Sequence, residues 1–160
     1  MFWLLACAVP EYPTQVEFNP EGIEFPWVSY QEEPPESVEV GVRNRGEGPI
    51  YMTLVGLDGE GLGNLTLVGE WTDSIVPPGQ SKSFRVSISR NKQEWDHGEY
   101  EVEALVEAVA AYGGGMGTPY SHSDTIDIWS LPILVRADCD LDGDGEESTV
   151  CGGTDGDDKI

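Results

Sequence analysis

Between residues 15 and 136, apolar side chains recur at every second position in short bursts separated by glycine, proline and asparagine. A period of two belongs to a strand with one face in a core and the other in water. Ile23, Phe25 and Trp27 alternate in this way, as do Val38, Val40 and Val42, then Ile50, Met52 and Leu54, and Leu65 with Leu67. Phe84, Val86 and Ile88 make the clearest case, because Ser83, Arg85, Ser87 and Ser89 occupy the alternate positions. Ile126 and Ile128 open the last strand, which continues past Pro132 into Leu134 and Val135. Turn formers lie between the bursts: Pro34-Pro35, Asn44 to Pro49, Asp58 to Gly63, Pro77-Pro78-Gly79 and Gly113 to Gly117. Residues 101–112, rich in Ala, Glu and Leu, also have a helical composition. Tyr100, Val102, Ala104, Val106 and Ala108 nevertheless share one face at period two, with Glu101, Glu103 and Glu107 opposite, so a strand is predicted there. Short strands punctuated in this manner predict an antiparallel sandwich rather than a parallel sheet.

The order Val38-Glu-Val-Gly-Val-Arg-Asn-Arg-Gly46, Pro49-Ile50, Val76-Pro-Pro-Gly79-Gln-Ser, Phe84-Arg-Val-Ser-Ile and Gly98-Glu-Tyr-Glu-Val resembles the Hydin-like, or choice-of-anchor, immunoglobulin-like domains of bacterial surface proteins. The resemblance spans roughly residues 15–136 and implies a spacer or protein-binding module without conserved chemistry. Fold and function remain separate questions.

Composition changes the picture at both ends. The chain has 160 residues, 30 acidic against eight basic, and a formal net charge of −22. Such a surface repels phosphate backbones and excludes nucleic acid as a partner. Nine of the acids and one base, Lys159, lie from Asp138 onward, which sets the tail apart as a chemical unit. The organisation predicted is therefore 1–14 as a signal remnant and tether, 15–136 as the sandwich and 137–160 as an Asp-rich tail. Cys7, Cys139 and Cys151 make an odd count, which one pair plus one modified residue would explain.

At the N-terminus, Leu4-Leu5-Ala6-Cys7 resembles a bacterial lipobox. The resemblance implies cleavage before Cys7, lipidation of that cysteine and, with Ala8 following it, sorting to the outer membrane. Leu5 is bulkier than the residue usual there, and the basic start and most of the apolar run are absent. Read without the resemblance, residues 1–6 are a short apolar start packed on the domain and Cys7 is an ordinary thiol.

In the tail, two registers of alternating aspartate overlap: Asp140, Asp142, Asp144 with Gly145, and Asp138, Asp140, Asp142 with Gly143. Calcium takes six to eight oxygens, and alternate aspartates around a sharp glycine turn supply several of them from one loop. Thr149 or Cys151 stands where an EF-hand places its bidentate Glu, so a true EF-hand is excluded. The segment is similar to thrombospondin type 3 repeats and to the MopE-type metal-binding motif. Asp140-Leu-Asp142-Gly-Asp144-Gly145, Cys151-Gly-Gly-Thr154 and Asp155-Gly-Asp157-Asp158 carry the likeness, with Gly156 where the repeat usually has a cysteine. It implies calcium as the cofactor, Asp140, Asp142 and Asp144 as ligands, Asp155 and Asp157 closing the shell, and a Cys139–Cys151 disulfide. Asp138, Glu146 and Asp158 complete the candidate set. Closing that loop stabilises by roughly 2–3 kcal/mol. The bland alternative is a solvated acidic linker.

Other constellations carry less. Ser121-His122-Ser123-Asp124 contains triad residue types, but neighbours on an extended chain point to opposite faces and do not converge. Asp96-His97-Gly98 is a turn without metal-ligand spacing, and Gly113–Gly117 precedes a strand rather than a helix, so it is a hairpin tip. Asn64-Leu65-Thr66 matches a short glycosylation sequon. The sequence thus predicts an all-β, immunoglobulin-like antiparallel β-sandwich with a short irregular calcium-binding C-terminal tail. It reads as a non-catalytic module, secreted or anchored to the outer membrane, with a protein or glycan partner at the cell surface. The alternative is a carbohydrate-binding module that uses Trp71, Trp95 or Tyr112 as stacking platforms.

Overall fold

In the computed structural model, residues 12–29, 37–60, 65–88, 98–114, 119–138 and 145–146 are described. They form strands β1 (Val16–Asn19), β2 (Ile23–Ser29), β3 (Val38–Asn44), β4 (Ile50–Gly59) and β5 (Leu65–Val68). After these come β6 (Ser74–Val76), β7 (Ser81–Ile88), β8 (Gly98–Gly113), β9 (Tyr120–His122) and β10 (Asp127–Asp138). One sheet has the order β1-β3-β7-β5; the other has the order β2-β10-β8-β4-β6, with β9 paired to β8.

The alternation decides what lies between the sheets. Val40, Val42, Phe84 and Val86 from the first sheet are buried. So are Phe25, Ile50, Met52, Val102, Ala104, Val106, Leu131, Ile133 and Val135 from the second. Each large apolar side chain so placed contributes on the order of 1.5–3 kcal/mol. The strand expected over residues 101–112 is present as β8, and its inner face is the valine and alanine series. Glu101 and Glu103 face water, while Glu107 is half-buried.

Three details differ from the sequence reading. In β4 the register shifts between Leu54 and Gly56, so Leu54 is only half-buried and Val55 faces solvent. This is a β-bulge, where one extra residue turns the alternation over. The last strand, β10, begins at Asp127, after Ile126, and the sheet buries Leu131, Ile133 and Val135 while Ile126 and Ile128 are each 57% exposed. The sandwich also contains a parallel pair, β2 with β10, from Ile23 opposite Ile133 to Ser29 opposite Asp138. It arises because β1 pairs with β3, after which the chain changes sheet around Pro20–Gly22 and runs beside β10 in the same direction.

One polar side chain organises the end of the sandwich where β3 stops. Asn44 is fully buried. Its Nδ2 donates to the carbonyls of Gly48 (2.9 Å) and Val76 (2.8 Å), and its Oδ1 accepts from the Gly46 amide (2.8 Å). The Asn44 amide donates to Gln80 O (3.0 Å), and its carbonyl accepts from Gly79 N (2.8 Å). The turn it grips has Pro78 at its second position and Gly79, with φ +80°, at its third, closed by Gln80 N to Pro77 O at 3.1 Å. That is a type II turn, which requires glycine at the third position and favours proline at the second.

Candidate functional site

The start of β1 and the end of β10 lie at opposite poles of the sandwich. Asn44, Ile50, Ala110 and the start of β10 share the first pole, because Val16 pairs with Asn44, Ile50 with Ala110 and Asp127 with Ala108. The chain enters there. Tyr12 reaches the carbonyls of Pro49 (2.5 Å) and Ala111 with its hydroxyl. Thr14, itself buried, donates to the Asp127 carboxylate and accepts from Trp129 Nε1 at 3.2 Å. These residues, assigned by the sequence to a tether, are fastened to the sandwich. The Tyr12 ring lies over Gly48, where a Cβ would stand 2.3 Å from the ring carbon that bears the hydroxyl. Only glycine permits so close an approach.

Burial holds the Tyr12 phenol above its ordinary value. Only the protonated phenol donates, so the strap stabilises fully below the unfolded value near 10 and is lost as pH rises through the raised folded value. Tyr12→Phe is expected to lower stability by about 1–2 kcal/mol at neutral pH. It should also remove part of the decline above about pH 10. Thermal unfolding of both proteins across pH 8–11 checks this, and parallel curves would contradict it.

At the second pole Asp138 ends β10 beside Ser29, and Ala137 pairs with Gly98. The acidic tail departs from here. Cys7, Cys139, Cys151, Asp140, Asp142, Asp144, Asp155, Asp157, Asp158 and Trp95 lie outside the described residues. Glu146 is exposed, and Gly145 has φ +92°. Glycine adopts such a left-handed turn without strain. Among the described residues, no group of three or more His, Cys, Asp or Glu side chains stands close enough together to hold a metal.

The outer face of the larger sheet is acidic. Glu99, Glu101, Glu103 and Glu107 share one face of β8, with Leu105 between the last two, and Asp58 lies directly opposite Glu103 on β4. Like charges on directly opposite positions destabilise a sheet. Arg136 offsets part of this, because its Nε contacts Glu99 at 2.8 Å and its Nη1 contacts Glu24, so it joins β8, β10 and β2. On the smaller sheet, Glu17 pairs with Arg45 (3.2 Å) and Glu39 with Arg85 (4.0 Å). Exposed pairs of this kind contribute little, about 0–1 kcal/mol.

A shallow depression of about 510 Å³ lies on the acidic face, between Tyr51, Asp73, Glu107, Val109, His122 and Ile126. The His122 and Tyr51 rings meet edge to face at 6.2 Å, and His122 Nδ1 contacts the Ser123 carbonyl at 3.1 Å. Ser123 Oγ accepts from the Thr125 amide at 3.1 Å. The hairpin expected around Gly113–Gly117 is formed by β8 and β9, with Gly113 opposite Tyr120.

The stacking platforms require a correction. Trp71 is buried, with its Nε1 donating to Ser83 O at 3.0 Å, so no sugar ring can lie on it. A stacking platform must face solvent, whereas this indole fills the core edge beside β7. Tyr112 is half-buried and gives its hydroxyl to His122 O at 3.0 Å.

Solved structures share this architecture. The YadV chaperone aligns with a TM-score of 0.52 and 13% identity over 80% of this chain and 54% of its own. The periplasmic chaperone SfaE gives 0.49 and 9% over 77% and 57%, and the E. coli chaperone DraB gives 0.49 and 9% over 78% and 55%. The chain therefore spans little more than half the length of these chaperones. No family model and no curated protein matches the sequence. Sheet order, core and the YadV likeness together define an immunoglobulin-like β-sandwich.

Proposed function

We propose that this chain is a non-catalytic, extracytoplasmic binding or structural module, held to a bacterial outer membrane through a lipid on Cys7. Its tail, closed by a Cys139–Cys151 disulfide, binds calcium through Asp140, Asp142 and Asp144, with Asp155 and Asp157 beyond the bridge. The module is of the Hydin-like, choice-of-anchor kind, followed by a MopE-type repeat.

The observation that supports this reading best is the opposite-pole arrangement. Tyr12 and Thr14 fasten the incoming chain at one end of the sandwich, and β10 delivers the tail at the other. The twelve residues of β10 span about 40 Å at roughly 3.3 Å each. An anchor before Tyr12 thus holds the tail a domain's length from the membrane. The net charge of −22 suits a surface that stays soluble and attracts divalent cations. Partners are expected to be proteins: burial of Trp71 withdraws one of the aromatic platforms on which glycan binding rested.

Mass spectrometry of the protein from native membranes tests the anchor. The expected mature chain begins at Cys7 and carries a diacylglycerol adduct, and Cys7→Ser should shift the protein to the soluble fraction. A soluble chain with an unmodified Cys7 would remove the anchor from the reading.

A further inference from the structure

We propose that the sandwich carries tension between its poles, with the parallel β2–β10 ladder loaded in shear. The proposal rests on the module reading for the source of the load, an anchor on one side and a bound partner on the other. The mechanical property belongs to the fold itself.

The geometry follows from strand direction. The chain enters at the first pole and proceeds through β1 and β2 toward the second, and β10 runs the same way beside β2. A pull on the N-terminal side draws β1 and β2 toward the first pole. A pull on the tail draws β10 toward the second. Load that passes through β1 reaches β2, whose neighbour β10 is drawn the opposite way, so the two are driven past one another along their common axis. Their register pairs, Ile23 with Ile133 through Ser29 with Asp138, then share the load and must give way together. An antiparallel terminal pair would bring both ends out at one pole and open one bond at a time.

Three further ties lie on the same path. β1 is paired to β3 from Val16 to Asn19 and is loaded along its axis before β2 is reached. Tyr12 and Thr14 bind the entering segment to Ala111 and Asp127, ahead of β1. Arg136 spans the ladder, linking Glu24 on β2 to Glu99 on β8 across β10. A tether that merely ended at the sandwich would need none of these.

Forced unfolding is governed by the unfolding barrier and not by equilibrium stability. Single-molecule pulling on the full chain therefore reads the proposal directly. Held by handles at its two termini, the protein is expected to yield in one step, at a force severalfold higher than when held between Glu60 and the C-terminus. Glu60 follows Gly59, which pairs with Val102 at the second pole, so the latter geometry peels β10 from its end. Thr14→Val should lower the end-to-end force and leave the Glu60 geometry unchanged, because only the first loads the N-terminal strap. Equal forces in the two geometries, or gradual low-force opening end to end, would overturn the proposal. Neither readout depends on lipid or calcium, so failure here is distinct from failure of the anchor or the metal site.

Discussion

Asn44→Ala is expected to lower the unfolding free energy of the sandwich by about 3–5 kcal/mol. The side chain makes three hydrogen bonds at a fully buried position, two as donor and one as acceptor. Truncation strands the carbonyls of Gly48 and Val76 and the amide of Gly46, each costing about 1–3 kcal/mol when buried without a partner. Against a total stability of about 5–15 kcal/mol, the variant comes close to unfolding. Asn44→Asp is no rescue, because a carboxylate cannot donate to two carbonyls and would be a buried charge. Asn19→Ala, at an exposed position, should change stability by less than about 0.5 kcal/mol. Urea midpoints at constant slope measure all three. If Asn44→Ala behaved like Asn19→Ala, the polar hub would have no energetic meaning.

Much of the fold is legible in the sequence because its signals are local. Period two in Val40 and Val42, in Phe84, Val86 and Ile88, and in the long β8 series follows directly from the pleat, and the structure buries those faces. The Pro78-Gly79 and Asn44-Arg45-Gly46 turns are legible for the same reason. What escaped was non-local. Nothing in the alternation says that β2 would leave the sheet of β1 and lie parallel to β10, since both sheets offer it a suitable face. The choice of phase in β10 depends on which face meets the core, and Ile126 and Ile128 alternate as regularly as the buried set. Tyr12 and Thr14 look like tether because they lie between prolines and outside any period. Their partners, Ala111 and Asp127, are about a hundred residues away. An aromatic framed by Pro10 and Pro13 was the one available hint. Trp71 was misplaced for a related reason: turn residues nearby describe the backbone path, not the direction of a side chain.

The second large effect concerns the tail. Asp142 stands between Asp140 and Asp144, so Asp142→Ala removes the middle carboxylate of the proposed ligand set. Hard cations depend on ligand count and ligand charge, and a loop with few spare oxygens loses affinity steeply when one is deleted. The positive φ at Gly145 means that Gly145→Ala should weaken the proposed site through the backbone, with every carboxylate still present. Gly145 is exposed and the tail is a chemically separate unit, so the unfolding midpoint of the sandwich is expected to stay where it is. A disulfide between Cys139 and Cys151 would gather the oxygens before the ion arrives and lessen the ordering cost of binding.

Isothermal calorimetry of the oxidised full-length chain with calcium, beside its Asp142→Ala counterpart, meets the central proposal head on. The expected result is a binding isotherm in the parent with a dissociation constant on the order of 10⁻⁴–10⁻³ M. Most of that heat should vanish in the variant. A parent that gives no heat, with free thiols at Cys139 and Cys151, would reduce the tail to an acidic linker.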